Sequence, residues 1–278
     1  MGSSTTKAAR FISVALSATL TLSQNIPVPP LPYSYSGLVP FISEHALRLH
    51  HLGHHAQYTS QLNAVLEKMR GNPELKHFAK MGIDKLLQNL DSVPEEYREA
   101  ARNAGGGFVN HSLFWNVLSP WGGKVPSQDS DAIQERHLAM AIEQSFGSFS
   151  AMQFSFSNAA SSFYGCGWVF LYYDEENNNL EIVVTEKDDT PAMDPKTTPI
   201  LVLDMWEHAY YVDYENRKDL YIMNFWGSVD WAKVATRYAE ASGEVVPDPL
   251  PSAERREKEA VGLTLAVDDA SKALLAEE

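Results

Sequence analysis

The chain has 278 residues, room for one large globular domain or two small ones, and its 44% hydrophobic and 21% charged residues exclude wholesale disorder. Lys and Arg number 22 against 36 Asp and Glu, a formal net charge of -14. That balance argues against nucleic acid as a partner and leaves any anionic substrate to be drawn in by local positive charge alone.

The first 25 residues hold no acidic side chain, and Lys7 and Arg10 lie among Ser, Thr and Ala. This is the composition of an organellar targeting peptide, with the mitochondrial matrix favoured and the plastid as the alternative. The Pro-rich run 26–32 must then be extended. Apolar residues at helical spacing predict a helix over 39–69 and a second over 95–118, the latter interrupted at Gly105-Gly106-Gly107. The two are expected to form an antiparallel hairpin. A stretch rich in Gly, Pro, Ser and Asp over 119–131 reads as a boundary. Helical patterns follow over 132–146 and, more briefly, up to Tyr164. Cys166, the single cysteine, cannot form an internal disulfide and reads as a buried small hydrophobe. The period then changes. Runs 168–173, 180–185 and 200–204, rich in β-branched and aromatic residues, predict three antiparallel strands. A last helical pattern covers 212–241, and beyond Gly243 the chain is Pro-rich and then highly charged.

The predicted fold class is therefore α+β: a helical hairpin domain over 26–120, followed by an α+β domain with a three-stranded antiparallel sheet over 131–241. Residues 1–25 form the targeting segment and 242–278 a C-terminal extension. No run approaches the roughly 18 uninterrupted apolar residues of a membrane span.

Chemistry concentrates in His50-His51-Leu52-Gly53-His54-His55. On a helix His50, His54 and Tyr58 recur every four residues, so they share one face with a drift of roughly 40° per step. His51 and His55 taken singly are as consistent with a solvated patch. His111 enters an aromatic segment, Asn110-His111-Ser112-Leu113-Phe114-Trp115, and Asp204 and His208 stand four residues apart after a strand-like run. Three imidazoles and a carboxylate suit iron or manganese, and zinc could accept them too, which leaves redox and hydrolytic chemistry both open. No thiolate is among them, so iron–sulfur and structural zinc sites fall away.

These strings, with Gly165-Cys166-Gly167-Trp168 and Asp204-Met205-Trp206-Glu207-His208-Ala209-Tyr210-Tyr211, resemble the iron/manganese superoxide dismutase family in order and spacing from about Pro29 to Tyr238. The resemblance implies a superoxide dismutase with one manganese or iron ion per subunit, held by His50, His111, Asp204 and His208, with manganese slightly favoured. It further implies a gateway pair in Tyr58 and His54 and an aromatic wall of Trp115, Trp168 and Trp206. Glu207 would reach the partner's metal-bound histidine in a homodimer or tetramer, Tyr211 would meet the partner's His54, and Arg217 would line the entrance.

Two positions depart from the family pattern. The glutamine that usually bonds the coordinated solvent is absent from both of its usual places: one is Gly107, as in manganese-type members, and the other aligns with Asp188, whose ionised carboxylate can only accept. Gly53 stands where many members place a lysine that draws superoxide inward. With the extension after Gly243, these departures motivate a rival: a superoxide-dismutase-like structural subunit of a larger assembly, docked through its tail. A zinc hydrolase is a third possibility.

Overall fold

Ser43 opens the first helix. Its hydroxyl accepts from the Ala46 amide at 3.1 Å, Glu44 sits in the first turn, and Arg48 closes on Glu44 one turn later. The structure is a computed structural model and describes residues 25–243. The expected targeting segment, up to residue 24, and the extension beyond Gly243 lie outside the described residues.

Helix α1 (Glu44–Leu49) leads into a π turn (His50–His55) and then α2 (Ala56–Gly71). The predicted helix thus begins at Glu44 and not at residue 39, because Ser43 caps it and Pro40 has no backbone N–H to give a helical bond. A short α3 (Ile83–Gln88), absent from the sequence expectation, precedes α4 (Glu95–Asn116). The glycine run does not interrupt α4. All three glycines are buried inside it, since their missing side chains let other parts of the chain approach.

The second half begins with α5 (Ile133–Phe146) and α6 (Phe149–Ser162). Gly147 divides them by taking φ +81°, and Ser148 caps α6 by accepting from Ala151 N at 3.1 Å. Three strands follow, β1 (Gly167–Asp174), β2 (Asn179–Glu186) and β3 (Thr197–Asp204), in an antiparallel sheet ordered β2-β1-β3. The terminal helical pattern, predicted as one piece over 212–241, is three helices: α7 (Glu207–Tyr214), α8 (Lys218–Phe225) and α9 (Trp231–Ala241). Glu215 at φ 52° breaks the first junction, and Asp230 caps α9 by accepting from Lys233 N.

A small apolar cluster, built from Leu62, Leu66, Met69, Leu86, Leu87 and Ala104, joins α2, α3 and α4. The main cluster includes Leu113, Phe114 and Trp115 from the end of α4 together with Val169, Leu201 and Phe225. The apolar interior therefore continues across the 119–131 connection, and the last turns of α4 are clamped between the two halves of the chain. Among the described residues no helix is long and apolar enough to cross a membrane. Cys166 corrects the expectation of a buried thiol: it is exposed, on a loop where Gly165 takes φ +138° and Gly167 enters β1.

Candidate metal centre

The π turn sets the first group of side chains. Its closing amide, from Ala56, reaches the carbonyls of both Gly53 and His51, the wide turn that one extra residue imposes. His50, His54 and Tyr58 remain on one side of it: the His54 ring stacks on His208 at 3.8 Å between centroids, and Tyr58 lies 5.2 Å from His111. From α4, His111 donates its Nδ1 proton to the Gly107 carbonyl at 2.7 Å, which fixes the tautomer and turns the Nε2 lone pair inward. Asp204 ends β3, paired in register with Trp168 on β1. Its Oδ1 accepts from Trp206 N at 2.9 Å, which leaves Oδ2 free to point inward. His208, one turn into α7, completes the set.

His50 Nε2, His111 Nε2 and His208 Nε2 lie 3.1, 3.9 and 3.4 Å from Asp204 Oδ2. The four ligand atoms all fall within 4.8 Å of one another. Each is buried and none has a hydrogen-bond partner. Four unpartnered polar atoms converging in an apolar interior are costly unless something binds them together, and a metal ion is what this donor set fits. Protonation points the same way. Burial holds His50 down at about 4 and His111 well below the ordinary imidazole value, so both keep a lone pair to give. For Asp204, burial pushes upward, but the imidazoles of His208 and His50 outweigh it and keep the carboxylate ionised.

Residues 26–119 match the family described as iron/manganese superoxide dismutases, alpha-hairpin domain, and residues 134–237 match its C-terminal domain. The chain belongs to the iron/manganese superoxide dismutase family. Its relatives include the manganese superoxide dismutase of Listeria innocua, 43% identical over 77% of this chain and 98% of the relative. Manganese superoxide dismutase 1 of Leptolyngbya boryana is 42% identical over 76% of this chain and 80% of its own length. That of Pseudomonas aeruginosa is 41% identical over 77% of this chain and 97% of the relative.

The aromatic residues surround the dismutase-family centre on several sides. Trp115 meets His50 edge-on at 4.8 Å and Trp168 meets His111 edge-on at 4.9 Å, both fully buried, while the partly exposed Trp206 lies 5.7 Å from His208. Glu207, Tyr211 and Arg217 stand apart from the four ligand atoms, exposed on and just after α7.

Asp188 is buried between Tyr58 and Trp168. The Trp168 indole donates to its Oδ1 at 3.4 Å, and the Tyr58 hydroxyl also favours the charged form, yet burial dominates and lifts the carboxyl to about 6. The ionised form can only accept, as expected from the sequence, but burial widens the pH range in which the group keeps its proton and can donate, as an amide would. Tyr58 in turn is pushed above the ordinary phenol range, first by burial and then by the charge of Asp188.

The glycine run of α4 makes this arrangement possible. A Cβ on Gly106 would stand 2.0 Å from the Asp188 carbonyl oxygen, and one on Gly107 would stand 2.3 Å from the Tyr58 ring. Asn110 then donates to the carbonyls of Asp188 and Asp189, and Arg102 forms a two-point ion pair with Asp189.

Sequence reasoning missed these supports and left two histidines open. His51 and His55 are not a solvated patch. Buried His51 is held between Tyr35 Oη and the Pro29 carbonyl, each at 2.8 Å. His55 accepts from Trp115 Nε1 at 3.2 Å, and burial, with the neighbouring His51 and His50, pulls it down to about 3. A neutral His55 therefore anchors one panel of the aromatic wall. Only the density of the histidine cluster hinted at it.

Proposed function

We propose that this chain dismutates superoxide to oxygen and hydrogen peroxide, with one ion held by His50, His111, Asp204 and His208. The observation that carries the reading is the convergence of four buried, unpartnered donor atoms in a member of the iron/manganese superoxide dismutase family. A bound iron or manganese ion supplies the change of valence by which one superoxide is oxidised to oxygen and a second reduced to peroxide. The protein's part is to admit a small anion, exclude bulk water and deliver protons.

Trp115 and Trp168 seal the inner side, and half-buried Tyr58 and His54 flank the approach. Peroxide leaves with two protons. Tyr58 and Asp188 are placed to hold and pass them, the phenol kept neutral by burial and the carboxyl titrating near 6. A manganese preference is supported by Gly107 and by the manganese enzymes named above. Exposed Glu207, Tyr211 and Arg217 suit contact with a second copy of the chain in a homodimer or tetramer.

The relative from Listeria innocua is matched over 98% of its length by 77% of this chain, which supports reading the terminal segments as additions to the dismutase unit. We assign residues 1–25 to organellar delivery, mitochondrial or plastid, and 242–278 to an extension. Deleting the first 25 residues should leave folding intact and misplace the protein in a cell, and correct delivery of the truncated chain refutes the assignment.

The central test is metal analysis and a superoxide assay on one preparation. Manganese or iron near one per subunit with rapid dismutation is expected. Zinc with no turnover overturns the proposal. Asp188→Gln tests the proton route: an unaltered rate and an unaltered metal preference would show that this carboxyl does not serve the reaction.

A further inference from the structure

On the face of α4 that carries Asn110 and Asn116, the protein has a cavity of about 320 Å³. Asp84 and Gln88 of α3, Thr190 and Thr198 of the segment leading through β3, and Arg237 of α9 share its lining with Asn110. At roughly 30 Å³ for each water-sized group, it accommodates a ligand of about ten non-hydrogen atoms.

Arg237 is its one cationic lining residue, and that guanidinium is incompletely satisfied. Its Nε and Nη2 both donate to a single acceptor, the Pro199 carbonyl, at 3.3 and 2.9 Å. Among the described residues no carboxylate comes within ion-pair distance. Asp84 and Glu240 act on it only at longer range, and burial pulls its proton affinity below the ordinary arginine value. Arg237 is partly buried, and a planar fork with spare donors is the geometry that carboxylate and phosphate oxygens match. Thr198, partly exposed at the start of the Pro199 segment, adds a hydroxyl to the same lining.

We propose that this cavity binds a small hydroxylated organic anion, its carboxylate or phosphate on Arg237 and its hydroxyl toward Thr198. Asp84 lies at the exposed rim and opposes anion entry electrostatically.

The test is calorimetric titration of the metal-loaded full chain with malate and, separately, with glycerol 3-phosphate, at an ionic strength fixed with chloride. Saturable one-to-one binding of either is expected, and the preferred probe distinguishes a carboxylate from a phosphate ester. Arg237→Gln should weaken the dissociation constant about tenfold or more. Asp84→Asn should tighten it roughly two- to fivefold, an effect that a purely structural arginine would not produce. Should Arg237→Gln fail to fold, Thr198→Val, which leaves the Arg237–Pro199 contact in place, should weaken binding about threefold. Absence of saturable binding by both probes overturns the proposal, as does an Asp84→Asn variant whose affinity is unchanged or lower.

Discussion

Trp168 donates its indole N–H to Asp188 Oδ1 at 3.4 Å, and the same carboxyl faces the Tyr58 hydroxyl. Both neighbours favour the charged form, but burial wins and the group titrates near 6 in the fold. An acid whose folded value is raised contributes its stability fully below the unfolded value, near 3.9, and loses it as pH rises through the folded one. In the metal-free protein, Asp188→Asn should therefore gain about 2–3 kcal/mol on the natural chain as pH climbs from about 4 to about 7. Urea denaturation of the two proteins across that range measures it. A pH-independent difference between them would mean that the carboxyl is solvated after all.

Three imidazole nitrogens close on Asp204 Oδ2, so Asp204 is the residue whose loss the centre tolerates least. Asp204→Ala removes the only negative donor and leaves three imidazoles facing a void. Metal content, read by elemental analysis after purification in manganese, should fall by about tenfold or more. Full occupancy in this variant is incompatible with the ligand set proposed above.

Two glycines separate packing from propensity. At Gly106 a Cβ would collide with the Asp188 carbonyl at 2.0 Å, whereas at Gly53 nothing lies within 4 Å. Gly106→Ala should cost about 1–3 kcal/mol by overpacking and displace the Asp188 segment. Gly53→Ala should be neutral or stabilising by up to about 1 kcal/mol, since helical glycine is entropically costly. Denaturant midpoints settle the comparison, and equal effects at both positions would contradict the close approach of α4 to Asp188.

The open space at Gly53 also allows a charge to be added beside the candidate entrance without disturbing the core. With a net charge of -14, Gly53→Lys should raise kcat/KM for superoxide roughly two- to fivefold at low ionic strength, and the gain should shrink as salt screens it. A gain independent of salt would point to a cause other than steering.

Much of this protein is written in local pattern. Runs rich in β-branched and aromatic residues marked the three strands to within a few positions, and the His50, His54, Tyr58 spacing and the Asp204/His208 pair pointed to side chains that the fold brings close together. Those signals are legible because strand period, helix period and ligand type depend on neighbours in the chain. Helix breaks were less so: the single pattern over 212–241 is three helices, because Glu215 and Asp230 act through backbone geometry that hydropathy does not encode.

What only the tertiary structure decided is how distant segments meet. Nothing in Gly105-Gly106-Gly107 says that it continues a helix; that follows from Leu87, Asp188 and Tyr58 occupying the space where side chains would be. Nor does the sequence distinguish a solvated His55 from one accepting a hydrogen bond from Trp115, or set the carboxyl of Asp188 near 6. Burial and contact between residues far apart in sequence fix these properties, because desolvation is a property of the assembled interior and not of the residue.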